Sequence, residues 1–226
     1  MDLFEAMRTT PATRSFTDAP VEDETIHAIL DDARFAPSGG NRQGWRVVVL
    51  KDPSQRRRVR DKYLEGWYEY LGQVMANMTP FAPLNNRDEE AAARAQAPIM
   101  AEMGAANPGF AEQLDTAPCL LLLLADLTCL AATDRDLDRY TFVGGASIYP
   151  FAWNILLSAR ARGLGGVITT MPVLHEDAVK EIINASSHLA IAGLIALGEP
   201  ATIVTKLRRS SVEEFTTIDT VDGEAF

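Results

Sequence analysis

Downstream of Pro20, residues Ile26, Ile29, Leu30 and Ala33 recur at helical spacing, the stripe of an amphipathic helix. Val21-Glu22-Asp23-Glu24 puts acids in its first turn, where the helix dipole favours them. Pro37 pushes Ala36 out of the α region, which predicts a stop near Phe35. Trp45 to Leu50 reads as a buried strand closed by Asp52-Pro53. Cys119 to Ala125 is continuously apolar, which suits a strand covered on both faces. It falls far short of the ~20 residues of a membrane-spanning helix. Gly144 to Arg162 predicts a helix whose apolar side carries Ile148, Phe151, Ala152, Ile155, Leu156 and Ala159, with Pro150 implying a kink or a late start. Gly163-Leu164-Gly165-Gly166 ends it. Val167 to Thr170 reads as a short strand or strand edge, His175 to Ile183 as a helix, and Leu189 to Leu197 as another buried strand before Gly198-Glu199-Pro200.

Other stretches carry a weaker pattern. The basic run Arg56-Arg57-Arg58-Val59-Arg60 reads as a solvated helix face. Residues 62 to 115 are the least regular, with aromatics at Tyr63, Trp67, Tyr68 and Tyr70, then Pro80 and Pro83 as helix breakers. Asp88 to Met103 reads as helical with a break at Pro98. A long broken stretch between two strands suggests an inserted lid or a partner-contacting segment, here about 65–110, against the plainer alternative of a surface helical hairpin. Thr202 to Phe226 reads as a polar C-terminal extension.

Composition narrows the class. The chain has 226 residues, 47% hydrophobic and 23% charged, the ordinary globular mix, and reads as a single domain over 1–226. Its formal net charge of -10 argues against a general nucleic-acid role, because an acidic surface repels phosphate backbones. No apolar leader opens the chain and no membrane partner is expected, so the expected setting is cytoplasmic. Cys119 and Cys129 form no CxxC and read as reduced core cysteines.

Much side-chain chemistry is missing. His27, His175 and His188 are the three histidines, and no zinc-ligand spacing, GxSxG, HExxH, Walker A or GxGxxG occurs. An enzyme built this way needs a bound cofactor for the hard chemistry. Pro37-Ser38-Gly39-Gly40-Asn41, with Gln43 close by, offers backbone that can approach a ligand and side chains that both donate and accept. Alone, that loop is only a turn.

Its context gives it weight. Upstream lies Met7 to Val21 with Arg14 and Phe16, and downstream come Gly163 to Thr170, the strand ending Leu197-Gly198-Glu199-Pro200, and the basic Lys206 to Arg209 cluster. This order resembles the nitroreductase family over nearly the whole chain, with residues 65 to 110 as the unmatched part. Thr169-Thr170-Met171-Pro172 and Leu114-Asp115-Thr116-Ala117-Pro118 look most like the branch that includes iodotyrosine deiodinase. The resemblance implies an α+β, nitroreductase-like fold with a central mixed sheet flanked by helices. It also implies an intertwined homodimer with FMN at the interface. Arg14 and Phe16 match the end of the family's Arg-Arg-Ser-x-Arg-x-Phe motif, whose earlier positions fall on Thr10, Pro11 and Ala12. Two expected phosphate or ribityl contacts are thereby missing, with Arg8 a candidate substitute. Pro37, Ser38, Gly39, Gly40 and Asn41 match the loop over the isoalloxazine. Thr169, Thr170 and Met171 match the segment facing flavin N5 and the pyrimidine edge. Arg209, or Arg208 one residue out of register, matches the C-terminal phosphate arginine.

The implied activity is transfer of electrons from NADH or NADPH through FMN N5 to a small acceptor, by a ping-pong mechanism and with no dedicated catalytic side chain. The implied acceptor is an aromatic nitro compound, a quinone or a related molecule. Met171 stands where the deiodinase-like branch has a hydroxyl residue, which argues against dehalogenation. Trp67, Tyr68 and Tyr70 read as lid or dimer packing ahead of substrate stacking. Three alternatives stay open: a non-catalytic flavin-binding carrier or sensor, a structural dimer without cofactor, and oxidative fragmentation of the flavin itself.

Overall fold

A computed structural model describes residues 1–204 and 206–226. The helices are α1 (Leu3–Thr9), α2 (Asp23–Ala33), α3 (Pro53–Met75), α4 (Arg87–Arg94), α5 (Ala97–Ala106), α6 (Tyr149–Ala161) and α7 (Glu176–Ile182). The strands are β1 (Trp45–Val49), β2 (Cys119–Asp126), β3 (Gly165–Thr169) and β4 (Leu189–Gly198). They form one sheet in the order β1-β2-β4-β3.

The central strand shows why its sequence is unbroken. Successive strand residues point to opposite faces. Cys119, Leu121, Leu123 and Ala125 pack on one side with α2 and α6, through Ile29, Ala33, Ile155 and Ala159. Leu120, Leu122 and Leu124 pack on the other with Val59 and Tyr63 of α3 and Val179 of α7. Each face is closed by helices, so neither tolerates a polar residue. Between Leu123 and Leu124 the β2–β4 register skips Ala192, a β-bulge. The Tyr149 hydroxyl donates to the Ala192 carbonyl at 3.2 Å.

The structure corrects the expected mixed sheet. All three strand ladders are antiparallel. Parallel pairing among the described residues is confined to the single bridge Ala12–Gly166. The β1–β2 and β3–β4 connections reverse the chain, whereas β2 and β3 run the same way and are kept from pairing in parallel by β4 between them.

The stretch after β1 is more regular than its composition suggests. The expected irregular region opens inside α3, which runs for 23 residues from Pro53 to Met75. Asp52 caps it, its carboxylate accepting from Gln55 N at 2.8 Å. Its basic run is not wholly solvated: Arg57 and Arg58 are exposed, but half-buried Arg56 donates to the Ala117 carbonyl. Arg60 pairs with Asp115 at 2.9 Å and Asp61 at 2.8 Å. The helix break expected at Pro98 falls one turn earlier, at Ala95–Gln96, with Pro98 inside the first turn of α5 where its missing N–H costs nothing. Likewise α6 starts late, at Tyr149, after a 3-10 turn over Val143–Ser147, which answers the position of Pro150. Among the described residues no helix is long and apolar enough to cross a membrane.

Candidate cofactor site

The expected site residues fall on the two outer strands. The first group precedes β1. Helix α2 ends before buried Ala36, and Pro37 turns the chain into a 3-10 turn over Gly39–Asn41. Gly40, Asn41 and Gln43 have φ of 60°, 55° and 52°. Local bonds hold this left-handed backbone: Gln43 N donates to Ser38 Oγ at 2.9 Å, and Gln43 Nε2 to Asn41 Oδ1 at 3.1 Å. Gly39 N donates to Ser147 Oγ at 3.0 Å, anchoring the loop to the turn before α6. Pro37, Gly39, Gly40, Asn41 and Gln43 are exposed and Ser38 is half-buried.

The second group borders β3. Thr13 N donates to the Gly166 carbonyl at 2.9 Å and Thr17 N to the Glu199 carbonyl at 2.9 Å, so residues 12–17 run beside the sheet edge. Gly165 permits the approach, since a Cβ there would stand 2.5 Å from Thr13 Oγ1. Phe16 packs into the α3-side core and meets Phe110 edge-on at 6.4 Å. That seating fixes the strand-like stretch from which Arg14 projects. Arg14 is exposed and lines a polar cavity of about 330 Å³ with Ser15, Thr17, Asp18, Phe110 and Gln113. Asp18 shares that cavity, yet no carboxylate among the described residues is within ion-pair distance of Arg14.

Thr169 ends β3, Thr170 is exposed, and Met171 starts a 3-10 turn through His175 whose direction Pro172 fixes. A residue outside the expected set joins them. Tyr63 of α3 is only 3% exposed, and its phenol lies near the Thr169 side chain. Burial pushes its phenol up to about 12, against smaller downward pulls from Thr169 and from the nearby Arg14 charge. Arg14, Tyr63 and Thr169 thus converge although they lie far apart in the chain. The legible signal was Tyr63, Trp67 and Tyr70 at helical spacing, which in the structure stack with centroids 6.2 and 5.1 Å apart. Tyr68 departs from that stack and donates to Glu112 at 3.2 Å.

The remaining expected residues stand elsewhere. Arg208 and Arg209 are exposed in the C-terminal extension, lining a cavity with Ser210 and Glu214 and not the one beside Arg14. That extension is folded, with a capping box from Ser211 to Glu214. The Thr10 hydroxyl is spent on the Ala6 carbonyl at 2.6 Å, closing α1, and Arg8 is exposed on that helix. Cys119 is buried and Cys129 half-buried, both free. No cluster of His, Cys, Asp and Glu suited to a metal occurs among the described residues.

The two groups do not meet within one chain. They flank opposite edges of a four-stranded sheet, three strand spacings or roughly 14 Å apart. The cavity of Arg14 includes none of residues 37–43. One edge offers exposed amides and carboxamides; the other offers a cation, hydroxyls and a 3-10 turn. Together they suit a planar polar ring carrying an anionic tail.

Comparison with known proteins identifies the scaffold. The model of the Nitroreductase family matches residues 7–199. The chain belongs to the nitroreductase family. It is 31% identical over 191 residues to a protein named NADH dehydrogenase from Thermus thermophilus, covering 83% of this chain and 82% of that one. Iodotyrosine deiodinase 1 of Rattus norvegicus is 23% identical over 219 residues, covering 94% of this chain and 68% of the deiodinase. Solved nitroreductase-like structures share the fold at low identity. A BluB-like flavoprotein from Clostridium difficile 630 superposes with a TM-score of 0.68 at 20% identity, covering 97% of this chain and 100% of its own. Oxidized iodotyrosine deiodinase, bound to FMN and 3-iodo-L-tyrosine, gives 0.66 at 20%, with the same coverage. Membership places this nitroreductase-family chain among oxidoreductases.

Proposed function

We propose that this protein is an FMN-dependent oxidoreductase that draws electrons from NADH or NADPH and delivers them to a small acceptor, an aromatic nitro compound, a quinone or a related molecule. The observation that carries the reading is exposed Arg14, lining a polar cavity on a stretch pinned along the edge strand that ends in Thr169, in a nitroreductase-family chain. FMN makes two demands. Its phosphate dianion needs a cation free of other partners, and exposed Arg14 supplies a planar fork for it. Its ring edge needs donors and acceptors, which the Thr169 and Thr170 hydroxyls and the backbone at Met171 provide. Arg209, or Arg208, lines a different cavity within this chain, so its part in the proposal is a second cation supplied from the other copy.

Half-sites on opposite sheet edges make sense between two copies. We infer a homodimer in which residues 37–43 of one copy close over the ring held by Arg14 and Thr169 to Met171 of the other. Exposed apolar side chains on the elements flanking these edges, Leu3, Phe4, Met7, Phe35 and Trp153 among them, support such a pairing. Bound flavin supplies the redox chemistry through N5. Donor and acceptor then use one face in turn, a ping-pong order. The chain's own residues bind the phosphate, orient the ring and exclude water, and none is assigned as acid or base. Two free thiols fit the expected cytoplasmic setting.

The test is the visible spectrum of the purified protein with FMN, before and after anaerobic addition of NADH or NADPH. Bound flavin bands that bleach with a donor and return with a quinone or nitroaromatic are the expected result. Flavin bound at one per chain that neither donor reduces favours a carrier, and no bound flavin overturns the reading.

A further inference from the structure

Arg160, in the last turn of α6, is 9% exposed, yet no carboxylate among the described residues lies within ion-pair distance of it. Its Nε and Nη2 both donate to one acceptor, the Thr9 hydroxyl, at 3.4 and 3.3 Å. That hydroxyl is itself a donor to the Glu5 carbonyl at 2.8 Å. A guanidinium carries five N–H groups in a fixed fork, so most of this one is unanswered by protein among the described residues. The negative end of the α6 dipole lies here and favours a cation, but a dipole does not complete the fork. A buried charge without a partner is costly.

The guanidinium borders a cavity of about 10 Å³ together with Thr10, Pro11, Thr13, Gly165 and Thr202, room for one water-sized occupant. Thr13 is 8% exposed, and its hydroxyl, seated against Gly165, also makes no hydrogen bond within the described residues. The Thr10 hydroxyl is spent on the Ala6 carbonyl. The buried side chains with bonds to spare are therefore a cation and a hydroxyl, both donors. Leu156 of the α6-side core lines this cavity, whereas Phe16 and Phe110 of the α3 side line that of Arg14, so the two lie on opposite faces of the β3 edge.

We propose that Arg160 and Thr13 form a binding site for one monatomic anion of the chloride class, separate from the flavin site and independent of that reading. Phosphate, with four oxygens around its centre, is too large for a space that holds one water. A water accepts from the fork but leaves the buried charge uncompensated; a halide does both. Bound there, it ties three segments together: the end of α6, residues 10–13 beside β3, and Pro200–Val204, where the C-terminal extension begins.

The experiment titrates the purified full chain with sodium chloride or bromide, holding ionic strength constant with sodium gluconate, whose anion is too large for the cavity. Stability is followed by chemical denaturation. A single saturable stabilisation by halide is expected: at ten times its dissociation constant the ion lowers the unfolding equilibrium constant about elevenfold. Arg160→Met keeps the stem and removes the fork, and its stability should not respond to halide. Thr13→Val keeps the shape and removes one donor, and should weaken halide binding about three- to tenfold. Crystals of the wild-type chain grown in bromide should show an anomalous peak between the Arg160 guanidinium and the Thr13 hydroxyl, a result that stands even if Arg160→Met fails to fold. Equal halide dependence in wild type and Arg160→Met overturns the proposal. So does a water, a flavin phosphate or a carboxylate of a second copy on the guanidinium in place of bromide. A bromide peak with no halide dependence in solution marks an adventitious ion only, and overturns it too.

Discussion

The two outer strands of the sheet border the two halves of the proposed site, and they are built in different ways. Ahead of β1, residues 37–43 hold their own shape through Ser38, Asn41 and Gln43, all within six positions of one another, with Ser147 as a distant anchor. Beside β3, nothing is local. Arg14 arrives on a stretch pinned by Gly166 and Glu199, Thr169 ends a strand, and Tyr63 comes from α3, packed on one face of the sheet. The first edge is a loop that happens to sit on a sheet; the second exists only after the sheet has formed. Damage to packing should therefore reach the β3 edge and spare the β1 edge.

The strongest way to break the comparison is Gly165→Val. Its Cβ must displace Thr13, and overpacking of this kind costs about 1–3 kcal/mol. Chemical denaturation should show that loss, and FMN titration should show a matching loss as residues 12–17 lift away; an unaltered melting curve would mean that the edge is more compliant than its contacts suggest. Arg14→Ala separates binding from folding. FMN affinity should fall by about 1.5–3 kcal/mol, the range for a charge-assisted hydrogen bond, with melting unchanged. Unchanged FMN affinity would remove Arg14 from the site. Alkaline pH probes Tyr63. Its folded phenol titrates near 12, above an unfolded value near 10, so its contribution to stability is whole below pH 10 and is lost as the pH rises toward 12. By pH 11 wild type should have lost roughly 1 kcal/mol that Tyr63→Phe does not lose, measured by urea unfolding at each pH. Asn41→Gly is the mildest. It keeps the left-handed backbone while deleting the carboxamide and its Gln43 contact, so FMN binding should weaken by about 1 kcal/mol, with a smaller loss of stability. A large melting change at constant flavin occupancy would show that Asn41 serves the loop and not the ligand.

Sequence reading served the first edge better than the second for the same reason. Ser38, Gly39, Gly40 and Asn41 announce a loop by their own chemistry, and Leu120 to Leu124 announce a doubly covered strand, as the two cores confirm. Strand direction is not written in an apolar run, so the sheet proved antiparallel where a mixed one was expected. Helix α1 carries Leu3, Phe4, Ala6 and Met7 at helical spacing, but at 7 residues it is too short for periodicity to single it out. The continuity of α3 is carried by the helical spacing of Tyr63, Trp67 and Tyr70, and Pro80 and Pro83 break the pattern only beyond its end at Met75. Tyr63 itself reads as a core aromatic until Thr169 stands beside it, and no spacing rule brings those two positions together.

The proposed placement of complementary half-sites on opposite margins of one sheet has a thermodynamic consequence. A ligand that bridges two copies makes its own occupancy depend on how many copies are paired. Dilution then empties the cofactor as surely as a weaker contact would. By reciprocity, whatever factor pairing adds to flavin affinity, flavin adds to pairing. A chain paired in that way would sense its own abundance together with the supply of its cofactor.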